Sequence, residues 1–197
     1  MQSIDAPDRQ WWQRPPGRPM TFTAIALVLV LAWAVSLPGG NFMLLLVAFW
    51  PTAIFALVWV IRVGVALATP HRPRWDARYL VIPVICLTGL VAAAFDLPRE
   101  ARWAYAKPRM ESASDAIRSG AMKVAQFERL RIGSYSLTFH DRRDGNVWFR
   151  INDAGFLNST YLVHSPENRP VHAQGRPTYN TVEHFDGQWW LVNEIFD

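Results

Sequence analysis

Of 197 residues, 51% are hydrophobic and only 18% are charged, with a formal net charge of +4; this is apolar for a soluble domain yet too polar for a pure membrane bundle, so two kinds of segment are expected. The charge is spread, with 7 Arg against 4 Asp in residues 1–96 and 13 Lys/Arg against 12 Asp/Glu in residues 97–197, which argues against the clustered basic face that nucleic acid requires. The single cysteine, Cys86, excludes an intramolecular disulfide and a cysteine-based metal site.

Residues 1–19 form an N-terminal segment, expected to be cytoplasmic, and residues 20–96 hold three apolar runs. The first, Met20 to Leu37, has 18 residues without a charge. The second runs 20 residues from Phe42 to Ile61 and resumes after Arg62, and the third runs 17 residues from Tyr79 to Phe95. At ~1.5 Å rise per residue such helices reach about 26 to 30 Å, the thickness of a bilayer core. Three transmembrane helices are therefore predicted. Ala32-Trp33-Ala34 imitates a leader cleavage site. However, the run exceeds the usual h-region of about 7–15 residues, so a retained helix is expected.

Leu37-Pro38-Gly39-Gly40-Asn41 is short enough to make the first two helices an antiparallel hairpin. Pro51 and Pro83 predict kinks, which neighbouring helices accommodate in lipid. The N-terminal segment carries Arg9, Arg14 and Arg18. The second connection carries Arg62, Arg72, Arg74 and Arg78, and the first carries no charge. Positive residues stay inside, so the C-terminal half is expected to be extracytoplasmic, or periplasmic in a two-membrane envelope. Arg99, Arg102, Lys107 and Arg109 count against this, but they are outnumbered. No Asp, Glu, His or Lys lies within the runs. Transport and proton relay need such groups at depth, so the helices read as an anchor.

Residues 97–110 mix Pro98, Pro108, Trp103 and Tyr105 with four basic residues, the pattern of an interfacial connector. Residues 111–197 are expected to form a small α+β domain. Ala113, Ala116, Ile117, Gly120, Val124 and Phe127 share one face of a helix predicted from Ser112 to about Leu130. From Ile132 the period becomes two. Tyr135, Leu137 and Phe139 alternate with Ser134, Ser136 and Thr138, residues 140–146 form a turn, and Val147, Phe149 and Ile151 alternate again. A third strand is expected from Phe156 to His164. Tyr179–Phe185 and Gln188–Phe196 are expected to flank an Asp186-Gly187 hairpin turn. The fold class is thus a membrane α-helical region plus an α+β domain, with one helix packed on an antiparallel sheet of about five strands.

Chemistry is hard to find. His140, His164, His172 and His184 could line a ligand or metal pocket, the basis of an alternative sensor or enzyme reading. Their spacing matches no compact zinc motif. No Gly-x-Ser-x-Gly elbow, phosphate loop or dinucleotide fingerprint occurs. Asp141/Asp144 and Glu183/Asp186 flank turns, where carboxylates are ordinarily solvated. No cofactor and no catalytic residue is expected. Aromatic residues are abundant, and Trp189 and Trp190 must point to opposite faces of their strand. Trp148, Trp189, Trp190, Tyr161 and Tyr179 are accordingly the candidate partner-binding residues. The sequence thus predicts a non-enzymatic, membrane-anchored accessory protein whose outer domain contacts another envelope protein. It would serve as a complex subunit or as an immunity protein against a toxin.

Overall fold

The computed structural model describes residues 17–68, 77–143, 145–155, 158–166, 170 and 180–195. Its helices are α1 (Arg18–Val35), α2 (Phe42–Ala68), α3 (Arg78–Ala94) and α4 (Leu97–Ser119). Six strands follow: β1 (Arg129–Ile132), β2 (Tyr135–Arg143), β3 (Asn146–Ile151), β4 (Asn158–His164), β5 (Asn180–Asp186) and β6 (Trp189–Ile195). The chain divides into two compact units. Of the described residues, one unit holds those up to Ala32 together with those of Leu46–Phe95, and the other holds Trp33–Leu45 together with those from Asp96 onward.

The first unit is that of a membrane protein. α1 and α2 are long and apolar enough to cross a bilayer, and the number reaches three when α3 is taken with the helix that follows it. Phe22, Val47, Trp50, Ile54 and Leu90 are more than half exposed, as lipid-facing side chains are in a chain viewed without lipid. Small residues mark the helix contacts. Ala24 and Ala48 are buried, and a Cβ on Gly89 of α3 would stand 2.5 Å from Cγ1 of Val28 on α1. The hydroxyls of Thr52 and Thr88 donate to the carbonyls of Ala48 and Val84 one turn back, so both are turned onto their own helices.

In the second unit α4 covers one face of a six-stranded antiparallel sheet of order β1-β2-β3-β4-β6-β5. Trp103, Ala106, Met110, Ser114 and Ile117 recur every three or four residues along α4 and are buried. They meet Tyr135, Leu137, Phe139, Val147, Phe149, Ile151, Leu162, Trp189 and Leu191. Two differences from the sequence expectation follow. The helix expected over 112–130 instead begins at Leu97 and stops at Gly120, which takes a left-handed φ of 78° and whose N–H donates to the Ile117 carbonyl. Residues 97–110, expected as a connector, are its first part. Pro98 lies in the first turn, where a missing N–H costs nothing, and so does not oppose the helix.

The sheet also has six strands rather than about five, because Arg129–Ile132 is a strand. It pairs with β2 through a tight reversal at Gly133-Ser134. Gly133 has φ 59°, and a Cβ there would lie 3.1 Å from Cα of Ala106, so only glycine lets α4 come this close. β2 runs on through the residues expected as a turn, with a bulge between Phe139 and Asp141. β6 inserts between β4 and β5, so the sheet is not a simple meander.

Part of the connection between α1 and α2 belongs to this unit. Leu37 joins the domain core, and Pro38 is fully buried. Gly155 N–H donates to the Gly40 carbonyl at 3.0 Å. Arg102 of α4 donates to Ser36 Oγ at 2.8 Å and to the Ser134 carbonyl at 2.6 Å.

A candidate partner interface on the second face of the sheet

Strand alternation leaves a second face, away from α4. It carries the buried Trp148, Tyr161, Val163 and Val192, with Val182 and Trp190 packed partly buried beside them. Register aligns them across strands: Trp148 opposite Val163, Val163 opposite Trp190, and Tyr161 opposite Val192. Burial raises the Tyr161 hydroxyl pKa, helped by nearby Glu194, so the phenol stays neutral.

Edge-to-face contacts continue this cluster toward β2. Trp148 meets Tyr161 at 6.2 Å between centroids, Tyr161 meets His140 at 5.3 Å, and His140 meets Phe127 at 5.5 Å. Phe127 ends the run and is 61% exposed. Its φ of 65° is the left-handed region, which costs a non-glycine residue about 1–2 kcal/mol. Two backbone bonds flank it: Phe127 N–H to the Phe139 carbonyl at 2.7 Å, and Phe139 N–H to the Glu128 carbonyl at 2.9 Å.

Trp148, Tyr161 and Trp190 therefore share the second face, and Trp189 does not. Trp189 is fully buried under α4, 5.4 Å from Trp103 and 4.8 Å from His164 between centroids. Tyr179 lies outside the described residues. Phe127 is a surface aromatic absent from the candidates read from the sequence, because its spacing fitted the apolar stripe of the expected helix. The Gly120 stop between it and that helix was the available signal.

The histidines do not converge. His164 is buried on the α4 face, where burial, then Arg118, lowers its pKa. His184 pairs with Trp190 on the opposite face, with Nε2 2.9 Å from the Gly187 carbonyl. His140 sits at the β2 bulge, and His172 lies outside the described residues. Among those residues no three His, Cys, Asp or Glu are grouped to hold a metal ion. Asp186, which the turn pattern makes a solvated charge, instead accepts from Trp103 Nε1 at 2.6 Å and pairs with Lys107 Nζ at 2.7 Å. These two partners hold its carboxyl below the ordinary range. No protein-family model, curated protein or solved structure matches the chain.

Proposed function

We propose that the chain is a membrane-anchored accessory protein that binds another envelope protein at the exposed Phe127 end of the second face of its outer domain, with the buried Trp148 and Tyr161 supporting that end from behind. Phe127 carries this reading. A large aromatic ring is held in solvent, at a backbone conformation that disfavours it, at the end of a packed aromatic run. Local strain of this kind is retained where function uses it, and exposed aromatics anchor protein interfaces. In this reading the domain acts by binding rather than by catalysis.

The proposed arrangement in the membrane has three crossings, with the N-terminus cytoplasmic and the domain outside. Leu37 and Pro38 support it. The connection after α1 is built into the same unit as the domain, so both lie on one side of the bilayer. The chain between them must cross an even number of times. α2 is long enough to cross, and in this reading α3 makes the return.

Purification of the tagged full-length protein from its native membranes tests the function. A stoichiometric companion is expected with the wild type and is expected to be lost with Phe127→Gly. Because glycine relieves the left-handed strain, that variant should melt no lower than the wild type. A companion retained by Phe127→Gly, or a wild-type protein that emerges alone, overturns the reading.

A further inference from the structure

A cleft of 340 Å³ lies at the β1–β3 end of the second face, lined by Arg129, Ser136, Arg150, Asn152, Asp153 and Ser159 among others. Its size is at the small end of ligand sites, about 300–1,000 Å³. Its mostly polar lining, with Ile151 and Ala154 as the apolar members, suits a polar ligand. Register sets Arg129 and Arg150 on either side of Thr138, about 10 Å apart at Cα for ordinary strand spacing.

The floor is rigid. Thr138 Oγ1 donates to Asn152 Oδ1 at 2.8 Å, and Asn152 Nδ2 donates to Ser136 Oγ at 3.2 Å. Asn152 N–H also donates to the Ser136 carbonyl at 2.9 Å. The loop that follows is pinned by the Gly155 N–H bond to Gly40.

The side chains of Arg129 and Arg150 are both exposed, and among the described residues neither enters an ion pair or a side-chain hydrogen bond, although Arg150 lies close enough to Tyr161 on the neighbouring strand to act on it electrostatically. Asp153, the one acid in the lining, pairs with neither. Two guanidiniums lining one hollow raise its positive potential, and their forked donors match a phosphate. Asp153 offers an acceptor for a ligand hydroxyl.

We propose that this cleft binds a small hydroxylated phosphate ester, with its phosphate between Arg129 and Arg150 and a hydroxyl on Asp153. The ester is either a soluble glycerol or sugar phosphate or the glycerophosphate headgroup of a lipid. The site does not depend on the protein partner proposed above.

Full-length protein in nanodiscs of zwitterionic lipid, titrated at low salt with glycerol 3-phosphate by calorimetry, tests it. Saturable one-to-one binding is expected. It should be weaker by about tenfold or more in Arg129→Gln and in Arg150→Gln, with unchanged melting temperatures. Inorganic phosphate should compete and glycerol should not. Discs containing phosphatidylglycerol distinguish the sources: reduced apparent affinity there assigns the site to the headgroup, and unchanged affinity assigns it to a soluble ester. No saturable binding in the zwitterionic discs, or binding that both variants retain in full, overturns the proposal.

Discussion

Arg102 lies between two aromatic rings, 4.4 Å from the Trp33 centroid and 4.9 Å from that of Tyr135. Its two hydrogen bonds reach Ser36 and the Ser134 carbonyl. It thus joins the first connection, α4 and the β1–β2 turn. Arg102→Ala is expected to cost about 2–4 kcal/mol in thermal or denaturant unfolding. Lysine should not restore it, because an ammonium cannot stack flat and fork in this way. Tyr135→Phe should be nearly neutral. Burial pushes the Tyr135 pKa up to about 12, and its hydroxyl has no hydrogen-bond partner among the described residues to lose.

His164 should confer a pH dependence. Burial, then Arg118, lowers its native pKa below the ordinary value, against a weaker opposing pull from Asp115 and Glu111. The unfolded chain therefore takes up the proton first. The stability from this residue is full above about pH 6.5 and is lost as pH falls through the lower native pKa. Melting temperatures measured from pH 7.5 to 5.5 should decline more steeply in the wild type than in His164→Leu. Equal slopes would remove His164 as the cause.

Among the elements, the membrane helices are the most legible in the sequence, since long uncharged runs have few other physical outcomes. Their packing is less so. Gly89 marks the α1–α3 contact, and Gly89→Leu should force the helices apart at Val28. A cost of about 1–3 kcal/mol, or loss of folded protein from the membrane, is expected. Wild-type stability in that variant would place the contact elsewhere.

Alternation also reveals β2 and β3, because a half-buried strand must repeat with period two. β4, buried along both faces, and β6 are legible instead from the turn residues Ser165-Pro166 and Asp186-Gly187 that bound them. α4 was obscured by Pro98 and Pro108, which suggest a linker unless the first turn of a helix is recognised around Pro98. β1 was obscured by its four-residue length and by a run of apolar residues with helical spacing ahead of it. The make-up of the second face was half legible. Trp148, Tyr161 and Trp190 follow from alternation, whereas Phe127 depends on a backbone reversal that periodicity does not encode.

At the scale of the whole molecule, the connection after α1 and the sheet form one unit. Gly39 lies at their junction with φ 82°, and a Cβ there would meet Thr160 Oγ1 at 2.7 Å. Gly39→Ala should therefore destabilise the domain by about 1–3 kcal/mol, from strained backbone and the clash together. Unchanged unfolding would show that the connection contributes little to the domain.

The proposed topology requires an odd number of crossings between the N-terminal segment and the domain. Labelling of intact cells with a membrane-impermeant maleimide tests this directly, using Ser3→Cys and Ala121→Cys separately in a Cys86→Ser background. Ala121→Cys is expected to label in intact cells, and Ser3→Cys only after the membrane is permeabilised. Labelling of both from the same side, or of Ser3→Cys alone in intact cells, would contradict the outward-facing domain.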